Sequence, residues 1–165
     1  MLGRTTRVAA AVASMALGAC GGSSTSPTAT ATPTPSPSAS PTIANTPSAA
    51  PVVASTDPNY QWMSSFTVTM AESAGVAVTI RSVSATLQQA AGGIVVTPPT
   101  GLVEIYRYEV KSPTNRLEAN GTLTIAFTFL YTLPQPGDEA LVTITLNCYD
   151  DAGNAYPQTV QVKVV

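Results

Sequence analysis

The sequence predicts an all-β fold, and three observations predict it. From about residue 60 onward, large apolar residues alternate with Thr and Ser at period 2, the pattern of half-buried strands. Turn-forming residues recur between the alternating stretches. No segment carries a 3.6-residue apolar period.

Taken in order, Phe66, Val68 and Met70 alternate with Thr67 and Thr69 and predict the first strand. Val76, Val78 and Ile80 follow, and then Val83, Ala85 and Leu87. The odd step from Ile80 to Val83 flips the buried face unless an extra residue is absorbed. It predicts a β-bulge or a strand change near Arg81-Ser82. Gly92-Gly93 and Pro98-Pro99 bracket Ile94-Val95-Val96, a short edge strand. Next, Val103, Ile105 and Arg107 share one face, and Glu104, Tyr106, Tyr108 and Val110 the other. Ser112-Pro113-Thr114-Asn115 and Asn120-Gly121 read as turns. Leu123, Ile125, Phe127, Phe129 and Tyr131 then alternate with Thr122, Thr124, Ala126, Thr128 and Leu130. Pro134 to Asp138 closes that strand. Val142, Ile144, Leu146 and Cys148 form the inward face of the next, with Thr143, Thr145 and Asn147 outside. Asp151-Ala152-Gly153-Asn154 turns the chain into Val160, Val162 and Val164. Six or seven strands in roughly 106 residues predict an immunoglobulin-like sandwich of about seven strands over residues 60–165.

The chain begins differently. Arg4 and Arg7 precede an apolar run from Val8 to Ala16, which is too short to span a bilayer, and small residues follow it. This is the layout of a secretory signal peptide, residues 1–19. Leu17-Gly18-Ala19-Cys20 resembles the lipobox of bacterial lipoproteins. The resemblance implies that Cys20 becomes the first residue of the mature chain and carries acyl chains. Two or more chains give stable membrane attachment where one does not. With Gly21 rather than Asp next to Cys20, the resemblance points to the outer membrane or cell surface more than to the inner membrane. The implied location is the bacterial cell envelope, with the domain periplasmic or extracellular.

Residues 23–58 are almost entirely Ser, Thr, Ala and Pro, as in Thr32-Pro33-Thr34-Pro35-Ser36-Pro37. Such a composition offers too little apolar surface to offset ordering entropy. Residues 20–59 therefore read as the lipidated N-terminus and a disordered linker. A coil of that length spans about 33 Å and full polyproline II about 110 Å. Its hydroxyl density also permits O-glycosylation.

Charge and residue inventory exclude several functions. The chain has seven basic and nine acidic residues and no His. Arg4 and Arg7 leave with the signal peptide, so the mature chain sets Arg81, Arg107, Lys111, Arg116 and Lys163 against nine carboxylates. A mildly acidic chain without a basic patch is not a nucleic-acid binder. Without His there is no usual general base, and no catalytic constellation stands out. The reading is non-enzymatic, with no cofactor and no metal centre. Of the two Cys, Cys20 goes to lipid, which leaves Cys148 alone without a disulfide or a Cys-based zinc site.

The stretch from Phe66 to Thr69 through Gly75 to Ile80 resembles the opening strands of bacterial Ig-like domains. Ala140 to Tyr149, the turn Asp150-Asp151-Ala152-Gly153-Asn154 and Val160 to Val164 resemble their final hairpin. The resemblance implies an extracytoplasmic module for spacing, adhesion or recognition, with an envelope protein or a glycan as partner. The antibody-type Cys pair and mid-domain Trp are missing.

Three features are candidates for chemistry. Tyr106 and Tyr108 share a strand face and would present two rings about 7 Å apart. With Trp62 and Tyr60 they are the candidate ligand-binding residues, a platform for a sugar ring. Cys148 falls on an apolar face and is expected to be buried and inert. Asp150, Asp151 and Asn154 offer oxygens for calcium, but three side chains fall short of its six to eight ligands, and the same residues suit a tight turn. The leading expectation is a lipid-anchored envelope protein displaying one Ig-like domain for protein contact or structural spacing. A carbohydrate-binding module is the alternative.

Overall fold

The computed structural model describes residues 36–96 and 102–165. The signal-peptide segment, Cys20 and the first part of the linker lie outside them. The described residues belong to one compact unit and contain only strands, turns and loops. Among them no helix is long and apolar enough to cross a membrane.

Two sheets face each other. The first is ordered β1 (Pro41–Thr46), β4 (Trp62–Glu72), β9 (Thr122–Tyr131) and β7 (Tyr106–Lys111), with β3 (Val52–Ala54) also on β4. The second is ordered β2 (Ala49–Ala50), β11 (Gln158–Val164), β10 (Ala140–Asp150), β5 (Val78–Ala91) and β6 (Ile94–Val95), with β8 (Arg116–Leu117) also on β5. All pairings between strands are antiparallel except β2 with β11. If β1–β3 count as one interrupted first strand, the seven principal strands fall into the two-sheet order of an immunoglobulin-like sandwich.

The other predicted strands are present, but the strand expected from Val103 begins only at Tyr106, and Val103 is buried while Ile105 is exposed, so the two do not share a face. β5 runs unbroken through the phase slip, because the register against β10 jumps between Asn147–Ser82 and Cys148–Ile80. Arg81 is the extra residue, and it keeps Ile80 and Leu87 both buried. Asn120 turns with a φ of 54° and Gly153 with 90°, the left-handed positions those turns require. Val76 lies in the loop before β5 rather than in a strand.

The linker boundary is corrected. Residues 41–54 were expected to be disordered, yet they form β1, β2 and β3. β1 pairs with β4 from Pro41–Glu72 to Thr46–Thr67. The chain then crosses to the second sheet, where Ala49 and Ala50 lie parallel to Lys163 and Val164. It returns to β4 through Val52–Ser64. Backbone pairing drives this order more than side-chain burial does. Ala50 is fully buried, Val52 N–H donates to Val165 O at 3.1 Å and Val165 N–H donates to Ala50 O at 2.9 Å.

The core fills the space between the sheets with Phe66, Val68 and Met70 of β4, Leu123 to Tyr131 of β9, and Val142 to Cys148 of β10. Phe66 stacks on Phe127 and on Phe129, with ring centroids 5.8 Å apart in both pairs. Burying a side chain of this kind contributes about 1.5–3 kcal/mol.

Candidate functional site

The sandwich has two distinct ends. The chain enters at the end that holds Ser40, Glu72, Asn120 and Asp150. Residues Ala54–Trp62, Gln88–Val96, Leu102–Tyr106 and Tyr131–Ala140 make up the other end, as the antiparallel registers require.

At the first end, Glu72 is 3% exposed, and its carboxylate gathers five backbone N–H donors. Oε1 accepts from Ser40 at 3.0 Å and Ala74 at 2.8 Å. Oε2 accepts from Gly75 at 2.9 Å, Val76 at 3.2 Å and Asn120 at 3.1 Å. One side chain thus ties together the arriving chain, the β4–β5 loop and the turn before β9. Burial alone would raise its pKa, but the N–H donors outweigh burial and hold it at about 2. Alternation alone does not disclose this residue, because it continues the inward face of β4 as a charged group.

Asp150 and Asp151 lie at the same end and are committed to protein partners. Asp150 Oδ1 accepts from the Asn154 backbone and Oδ2 from the Asn154 side chain, both at 2.8 Å. Tyr156 O–H adds a third donor at 3.3 Å. Arg116 forks onto Asp151 at 2.8 and 2.9 Å. These contacts lower both carboxyl pKa values, through the Asn154 side chain at Asp150 and the Arg116 guanidinium at Asp151. The cluster organises the β10–β11 turn. Cys148 is fully buried on β10, where desolvation pushes its thiol up to about 11.

Tyr106 and Tyr108 share a face as expected, with ring centroids 6.4 Å apart. That face is the inner one, which corrects their placement on a surface platform. Both rings stack on Phe129, at 6.4 and 5.2 Å. Their hydroxyls reach across to the other sheet: Tyr106 donates to Ala85 O at 2.8 Å and Tyr108 to Val83 O at 3.5 Å. Val103 N–H donates to Leu87 O at 2.8 Å and Val96 N–H to Gln89 O at 2.9 Å. Of four successive outward carbonyls of β5, three are met by donors that no long neighbouring strand supplies, and the fourth, Val83 O, faces the Tyr108 hydroxyl at 3.5 Å. The tyrosines close the flank of the sandwich and cover a strand edge. Burial, then the neighbouring Tyr108, raises the Tyr106 pKa.

Trp62 opens β4 at the far end and packs half-buried against the core. Its indole N–H is buried without a hydrogen-bond partner, as is the Ser64 hydroxyl two residues on. Trp62 borders an open cleft with Ala54, Gln61, Leu133, Pro134 and Pro136. The structure does not bring Trp62 together with Tyr106 and Tyr108 as one exposed platform. Tyr60 belongs to the β3–β4 loop, where the Arg107 guanidinium stacks over its ring at 5.6 Å and pairs with Asp57 at 3.2 Å.

The same end carries exposed aliphatic residues. Ile94 is 74% exposed, Leu102 57% and Ile105 60%. Leu102 and Ile105 line a cleft of about 280 Å³ with Val103, Glu104, Leu133 and Pro134. Alternation placed Ile105 on one face with Val103, whereas the structure buries Val103 and exposes Ile105.

No protein-family model matches this chain, and no curated protein matches it. Among solved structures, the Northeast Structural Genomics Consortium target SoR45 aligns at 12% identity and TM-score 0.47, covering 77% of this chain and 86% of its own. A Bordetella pertussis protein with a provisional ApaA designation aligns at 16% identity and TM-score 0.49, covering 78% and 95%. The GAE domain of yeast GGA1 aligns at 6% identity and TM-score 0.39, covering 69% and 87%. The immunoglobulin-like assignment therefore rests on the strand order and register of this chain.

Proposed function

We propose that this chain is a bacterial lipoprotein, anchored through acylated Cys20, that displays one Ig-like domain for protein contact or structural spacing in the cell envelope. The observation that carries this reading is the polarity of the domain. The chain arrives beside Glu72 at one end, and Ile94, Leu102 and Ile105, the most exposed large aliphatic residues among those described, lie at the other. A domain held that way turns its uncommitted surface away from the membrane. The tether is shorter than composition suggested, because order begins before Pro41. Contact with protein is favoured over contact with a glycan, because the Tyr106 and Tyr108 rings are engaged inside the sandwich.

The test is fractionation of cells expressing the full chain or its Cys20→Ser variant. The wild type should sediment with membranes and the variant should leave them. A variant that stays in the membrane fraction would reject the anchor.

A further inference from the structure

We propose that the end of the domain opposite the arriving chain is a docking surface for a protein segment that offers a branched aliphatic side chain beside a lysine or arginine. The proposal deepens the display reading and rests on it only for which end is free.

A cleft of about 280 Å³ supplies the apolar part of this surface. Leu102 and Ile105 stand exposed on its rim, while Val103 and Leu133 are buried. The rim is held by backbone. Leu102 bridges to Gln88, and Thr132 N–H donates to Ile105 O at 3.0 Å. The exposed side chains are thus presented on a fixed frame, and a partner pays little ordering cost there.

Charge selects the occupant. Glu104 is the one charged residue lining the cleft. Asp57, Asp138 and Glu139 lie at the same end, against Arg107 and Lys163, and Arg107 is already paired with Asp57 at 3.2 Å. A second copy of the chain would bring this acidic rim against itself, and an anionic lipid surface would be repelled. A glycan stacks on aromatic ring faces, and none lines this cleft. A basic-flanked aliphatic segment meets both the cleft and Glu104.

The test uses the full chain in detergent and three synthetic peptides: two leucines flanked by lysines, the same with glutamates for lysines, and the same with serines for leucines. Amide and methyl resonances of Leu102 to Ile105 and Leu133 should shift with the lysine–leucine peptide alone, and less as salt is raised. Glu104→Lys should weaken that peptide about tenfold and let the glutamate–leucine peptide bind. Ile105→Asp, at an exposed position, should abolish binding while the circular-dichroism spectrum is unchanged. Equal binding of the lysine and glutamate peptides, shifts spread over the sheet faces, or indifference to Glu104→Lys would overturn the proposal. So would a dimer in sedimentation that Ile105→Asp dissociates. These readouts do not depend on acylation, so failure here and failure of the Cys20→Ser fractionation are separate results.

Discussion

Replacing Tyr106 by Phe removes one hydroxyl and leaves the ring on Phe129. The lost bond, Tyr106 O–H to Ala85 O at 2.8 Å, is of ordinary length for a hydroxyl donor. Its net worth is about 1 kcal/mol. For a folded unit of roughly 130 residues that is a fall in Tm of about 4 °C. Tyr108→Phe is the internal control, since its hydroxyl stands 3.5 Å from Val83 O and should contribute about 0 kcal/mol. The ring matters more than the hydroxyl. Tyr106→Ala and Tyr108→Ala together strip the flank of two half-buried aromatics, at a cost of about 2–3 kcal/mol each. They also uncover the β5 edge, so the double variant should aggregate at concentrations where the wild type stays monomeric. Denaturant titration and calorimetry measure the first pair of effects, and light scattering measures the last. Equal losses from the two Phe variants would refute the role assigned to Tyr106, as would a double Ala variant that keeps wild-type stability. The raised Tyr106 pKa gives the same group a pH signature. The stability it supplies is complete below the ordinary phenol value and is lost as pH rises past it toward the higher folded value.

Further outcomes follow from the other committed side chains. Glu72 has its folded pKa lowered to about 2 from 4.5. Its contribution is therefore present above pH 4.5 and lost as pH falls from there toward 2, and Glu72→Gln should flatten that part of the stability–pH curve. Cys148, buried with its thiol pushed up to about 11, should resist a thiol reagent in the native state and react once denaturant is added. Cys148→Ser should cost about 1–3 kcal/mol by burying a hydroxyl in an apolar site, more than Cys148→Ala. Calcium in excess should leave the melting temperature unchanged, because Asp150 and Asp151 already spend their oxygens on Asn154, Tyr156 and Arg116.

Much of the sandwich is legible where packing writes on the sequence. β9 and β10 bury alternate residues along nearly their whole length, so their side chains report their faces. The Arg81 bulge is legible for the same reason, since an odd step between buried residues has few geometric solutions. Residues 41–54 are not legible. Edge strands need few large side chains, and these are held by backbone pairing to β4 and β11 and by a single distant carboxylate, Glu72. Tyr106 and Tyr108 were legible as a pair, but their direction was not. A tyrosine serves an inner or an outer face equally well, and the deciding partners, Ala85 O and Val83 O, lie on another strand more than 20 residues away in sequence. The exposed Leu102 and Ile105 could not be told from core residues, because the alternation there has no strong neighbour to fix its phase.

Where the folded domain begins sets both the tether and the free end. Hydrogen exchange on the full chain measures it directly. Amides that pair Pro41–Thr46 and Val52–Ala54 with β4 should exchange far more slowly than unprotected chain, and Glu72→Gln should speed the first group. Free exchange across residues 41–54, at the rate of an unstructured peptide, would contradict the account.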